Sequence, residues 1–167
     1  MQRSELIVLV DYLYWLRDRI VEATAELPAG AFTASETVTP RDLRATLVHE
    51  LDVEWSWRER LRIGRFPDAD DLDPKAYPDL DALVDHWRRD EDEMRAWLDG
   101  LTDEQLSAPS PSERRSLPLW YFVMHLVTHG IQQLSEAAVQ LTHDGQSPGE
   151  IGFLEFVKDR VRSGAEG

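Results

Sequence analysis

The sequence predicts an all-α domain, a four-helix bundle with a short additional C-terminal helix, and three observations carry that reading. Four long segments repeat their apolar residues at the helical period. Capping and stop residues stand at the ends of those segments. No stretch alternates apolar and polar residues over a strand's length, and only short extended pieces near Thr37 and before Leu117 are suggested.

The first helix is expected over residues 4–27, with Ser4 as its cap. Leu6, Leu9, Leu13, Leu16, Ile20 and Leu27 form its buried stripe, and Pro28 and Gly30 end it. A polar connection leads to Thr39-Pro40. Thr39 as N-cap, Pro40 at the first helical position and Asp42 in the first turn mark the second helix, LRATLVHELDVEWSWRERLRI, which ends at Gly64. The segment RFPDADDLDPKAYP reads as a loop. Asp79 then caps a third helix whose core candidates are Leu80, Leu83, Val84, Trp87, Met94, Trp97 and Leu101. The linker SAPSPSERRS follows. The fourth helix, LPLWYFVMHLVTHGIQQLSEAAVQLTHDG, directs Leu119, Val123, Leu126, Val127, Ile131, Leu134, Ala138 and Leu141 to the core. After Ser147-Pro148-Gly149 a short last helix carries Ile151, Phe153, Leu154 and Val157. Residues 1–163 make one domain, and residues 164–167 read as a flexible tail. Connections of roughly ten to fifteen residues are long for a minimal up-down bundle.

The formal charge is −14, from 18 basic and 32 acidic residues. That balance argues against nucleic acid and against anionic membrane surfaces, both of which need clustered cations. Arg58, Arg60, Arg62 and Arg65 cluster only where the second helix ends, complementing its C-terminus and nearby carboxylates. Apolar runs fall short of the ~20 residues that span a bilayer. The N-terminus lacks a cleavable signal pattern, so a cytoplasmic location is expected. With no cysteine, disulfides, thiolate ligands and an enzyme-borne thiol nucleophile are excluded. Glycine-rich phosphate loops, HExxH and GxSxG are also missing.

Chemistry concentrates in one place. On the fourth helix His125, His129, Gln132, Gln133, Glu136 and Gln140 gather into a polar stripe, and histidines at i and i+4 present both rings on one side, where they can chelate a metal. His49 on the second helix is the third candidate. Each histidine also has a plain alternative, as a half-buried residue or part of a solvated stripe. His86, within VDHWRRDED, is expected to be exposed, and His143 to serve the helix dipole. The acidic run at residues 90–93 is read as a solvated face, because consecutive helical residues point apart. Trp55 and Trp57 are candidates to wall a pocket.

At these residues the chain resembles the DinB-like superfamily, which includes bacterial metal-dependent thiol transferases using bacillithiol or mycothiol. The similarity lies in Tyr12 and Trp15, in LRATLVHELDVEWSW, and most specifically in HLVTHGIQQLSEAAVQLTHDGQSPGEIGFLEFV. The resemblance implies a four-helix bundle, often a homodimer, and a divalent metal, zinc or nickel, held by three histidines. It implies a thiol S-transferase or hydrolase-like enzyme acting on small molecules. Anchored on SEAA and the Ser-Pro-Gly turn, the family's ligand positions fall at His49, His129 and Gln133. One expected histidine is therefore glutamine, and the family's following arginine is Leu134. His125 matches an earlier histidine that is usually not a ligand. Three arrangements follow: Gln133 coordinates through its amide oxygen, His125 takes the third place, or the metal site is lost, leaving a metal-free ligand-binding or stress-associated bundle. Glu136 or Gln132 would orient a ligating imidazole. Any thiol would be an external low-molecular-weight cosubstrate.

Overall fold

In the computed structural model, which describes residues 1–111 and 117–165, the fold is built from six helices among those residues. They are α1 (Arg3–Ala25), α2 (Leu43–Ile63), α3 (Leu80–Asp99), α4 (Asp103–Ser107), α5 (Leu119–His143) and α6 (Phe153–Ala165). Short 3-10 turns at Ala31–Thr33 and Pro74–Ala76 interrupt the two long connections. The extended pieces suggested by the sequence reduce to one isolated bridge between Pro109 and Pro118. Part of the linker, residues 112–116, and the tail residues 166 and 167 lie outside the described residues. Residues 164 and 165, expected in the tail, belong to α6.

Four long helices form the bundle. α1 packs on α3 and α5, and α2 packs on the same two partners, so α1 and α2 occupy opposite corners. The chain must therefore cross an end of the bundle between α1 and α2, which explains the length of that connection. The 3-10 turn at Ala31–Thr33 packs on α2 during the crossing and buries Phe32. α6 leans on α1, and α4 supports the start of α5.

Several local expectations need correction. The cap of α2 is Asp42, whose side chain accepts from the Ala45 N–H at 2.8 Å. Thr39 is held elsewhere, donating its hydroxyl to the Arg41 carbonyl at 2.7 Å. Gln2, not Ser4, caps α1, and its N–H donates to Glu5 at 2.8 Å. α1 ends at Ala25 rather than at residue 27. α4 was unforeseen, although Thr102 and Gln105 carry a capping box. On α3 it is Leu98 that is fully buried, while Trp97 only borders the core. On α6 Phe156 is the anchor, packed on Tyr12 and Trp15, while Leu154 is 73% exposed. The stop at Gly64 and the Asp79 cap stand as expected: Gly64 has φ +82°, and Asp79 accepts from the Ala82 N–H at 2.9 Å.

Candidate functional site

α2 carries a register that the apolar pattern conceals. Leu43, Leu47 and Leu51 face the core, and seven residues after each stands a charged residue: Glu50, Glu54 and Arg58. Seven residues are nearly two helical turns, so these three share the leucine stripe and enter the interior. All three are essentially inaccessible, at 0%, 1% and 1% exposure.

His49 points from the edge of that stripe toward α5. Its ring meets that of His129 edge-on, with centroids 5.4 Å apart. His129 Nδ1 lies 2.9 Å from Glu50 Oε2, which leaves Nε2 on the other side of the ring. The buried Glu50 carboxyl stands one turn before that of Glu54 on the same stripe of α2. Glu54 in turn accepts from the Tyr14 hydroxyl at 3.1 Å and from the Trp87 indole N–H at 3.0 Å. Buried polar groups thus extend from the α2–α5 face into the middle of the bundle, and every long helix contributes at least one.

Burial pushes Glu50 and Glu54 well above the usual carboxylate range, and for Glu54 the neighbouring acids Glu50 and Asp90 add to the effect. His49 and His129 are shifted down, first by burial and then by the nearby Arg41 guanidinium. Both imidazoles are thereby biased toward the neutral form, which is the form that binds metals.

The remaining stripe residues divide. Gln133, one turn beyond His129, is 4% exposed, and Arg41 Nη1 approaches its Oε1 at 3.5 Å. His125 is 6.1 Å from His129 between ring centroids but packs more closely on Trp57, at 5.0 Å. Trp57 packs on this face through His125, whereas Gln140 turns away and accepts from the Thr37 hydroxyl and the Val38 N–H. Gln132 is exposed and makes a long contact of 3.5 Å with Glu136, neither being bonded to a histidine. Among the described residues no three His, Asp or Glu side chains converge on one ion position.

His86 is not exposed but half-buried, with Nδ1 2.7 Å from the Tyr77 hydroxyl. The acidic run divides: Asp92 and Glu93 are exposed as expected, but Asp90 is buried against Arg58, and Glu91 receives Arg17 at 2.6 Å. His143 is exposed at the end of α5, as expected, 3.0 Å from Asp144. Sequence reasoning missed Glu50, Glu54, Arg41 and Gly130. The seven-residue offset from the leucines was the available signal for the two glutamates. Nothing local marked Arg41, which comes to Gln133 only through the bundle.

No curated protein is significantly similar to this chain. A match to the DinB family extends over residues 1–157, covering both helices of the histidine pair and the closing α6 anchor. The all-α bundle is the architecture that the resemblance implied, and the chain belongs to the DinB family.

Proposed function

We propose that this protein acts on small electrophilic molecules at the His49–His129 pair, as a metal-dependent thiol transferase or a related hydrolase-like enzyme. The observation that carries the reading is the pair itself: two imidazoles biased toward neutrality, from two helices, 5.4 Å apart between centroids, one of them braced by a buried carboxyl. The donor set fits a divalent ion, zinc or nickel, with His49 and His129 as nitrogen ligands and Gln133 as a weaker oxygen donor one turn along α5. Such an ion would supply Lewis acidity toward an external low-molecular-weight thiol or toward the substrate. The chain's own contribution is positional. Glu50 holds the His129 ring, Arg41 sets a positive charge beside Gln133, and Trp57 with His125 offers an apolar wall to the substrate's body.

A second reading rests on Arg41. Its guanidinium faces the oxygen that a metal would need from Gln133, which favours a metal-free ligand pocket in a bundle whose third ligand has been replaced. Metal analysis of protein purified without a histidine tag separates the two. Zinc titration calorimetry then assigns the ligands. Gln133→His should tighten zinc binding, because imidazole donates better than a carboxamide, and His125→Ala should change little. Equal affinities for the parent and both variants would exclude Gln133 and His125 as ligands. Burial lowers the histidines, so zinc should stay bound to a lower pH than free imidazole (ordinary value 6.5) would allow. The family resemblance also supports a homodimer, which a monomeric mass by light scattering at high concentration would overturn.

A further inference from the structure

Glu50 is the residue of this network whose position is hardest to explain by stability. It is fully buried, its Oε1 receives no donor from the protein, and its closest polar neighbours are His129 and another buried acid. An apolar side chain would cost less there. Moreover, the bundle makes room for it. Gly130, directly after His129 on α5, lies over this carboxyl. A Cβ at that position would collide with Glu50 Oε1 and would meet Leu13 Cδ1 at 2.6 Å. Gly130 is therefore the slot through which the α2 carboxyl reaches the α5 imidazole.

Glu54 already has donors on both oxygens, from Trp87 to Oε1 and from Tyr14 to Oε2. Glu50 meets His129 through Oε2, and its Oε1, under Gly130, has no hydrogen-bond partner among the described residues. We infer that Glu50 is a positioning residue: it accepts the His129 Nδ1 proton, fixes that tautomer and turns a bare Nε2 toward the face shared with His49. Free imidazole prefers the opposite tautomer, with its proton on Nε2 and no lone pair there for an ion or a substrate proton. This inference rests on His129 being a working residue of the site, but not on a metal.

The test is nitrogen-detected NMR on protein with 15N-labelled histidine, stripped with EDTA because an ion on Nε2 would itself impose the tautomer. The His129 signals are assigned by their loss in His129→Gln. The parent should show a protonated Nδ1 and a bare Nε2. Glu50→Gln should keep that pattern, since a carboxamide oxygen still accepts from His129 in the same shape. Glu50→Leu should lose it and move toward the Nε2–H form. A parent spectrum dominated by Nε2–H overturns the inference even if no variant folds, and so does a folded Glu50→Leu that keeps Nδ1–H. Zinc titration of the same proteins is read separately. Glu50→Leu should bind zinc roughly 10–100-fold more weakly than Glu50→Gln. If no form binds zinc while the tautomer pattern holds, the metal reading fails and the positioning role stands.

Discussion

The α2 stripe buries charge in two places, and the two are built differently. Toward the C-terminal end Arg58 meets Asp90 at 2.5 Å and reaches Glu93 at 2.8 Å, while nearby on α1 Arg17 is shared between Asp18 and Glu91 and lies over the rings of Tyr14 and Trp87. There the buried Asp90 and the partly buried Glu91 are each paired with a buried arginine. Toward the centre Glu50 and Glu54 face each other and an imidazole, with Tyr14 and Trp87 as neutral donors. The first arrangement is a tie between helices whose desolvation is offset by ion pairing. The second leaves a carboxyl without a dedicated cation beside a partly buried histidine, and such uncompensated burial is characteristic of sites that do chemistry. A buried charge is thus informative only together with its partner.

The comparison can be broken most forcefully at the structural end. Arg58→Met should destabilise the domain by about 3–5 kcal/mol in chemical denaturation, because it strands Asp90 in the interior. Arg58→Met with Asp90→Leu should recover much of that loss, and no recovery would mean that Asp90 needs no cation. At the chemical end Gly130→Ala is expected to cost about 1–3 kcal/mol, as overpacking against Glu50 and Leu13. It should also disturb His129, which Arg58→Met should not; denaturation combined with the His129 NMR signals checks both halves.

A subtler difference lies in pH. Glu50 has a folded value raised above the ordinary 4.5, so the folded chain holds a proton that the unfolded chain has released. Stability from this group is fully present below about 4.5 and declines as pH rises toward the folded value. Glu50→Gln removes that slope. The variant should gain on the parent between pH 4.5 and neutrality, and parallel stability profiles would contradict the burial effect. The smallest effect concerns Arg62, whose 2.7 Å pair with Glu59 is on the surface of the same helix. Arg62→Ala should change stability by less than about 0.5 kcal/mol, and a larger loss would mean that burial is not what separates these arginines.

Much of this was legible from the chain because it depends on periods and local chemistry. Leucines at helical spacing placed α1, α2, α3 and α5, Asp79 capped α3, Gly64 ended α2, and the spacing of His125 and His129 drew attention to α5. The meeting of His49 with His129 could be proposed from the resemblance, but only the packing of α2 on α5 brought the rings together. Tertiary structure alone decided the rest. Asp90 looked solvated because its neighbours in sequence are acidic, whereas its environment is set by Arg58, a residue of another helix. Glu50 looked like an ordinary helical acid because sequence shows spacing along a helix but not what lies across the interior. Arg41 reaches Gln133 across 92 positions, and no local pattern encodes such a contact. Periodicity fixes which face a residue occupies, since backbone geometry alone sets it. Whether a buried charge finds a cation, a proton or a neighbouring imidazole is decided by the helix that packs against it.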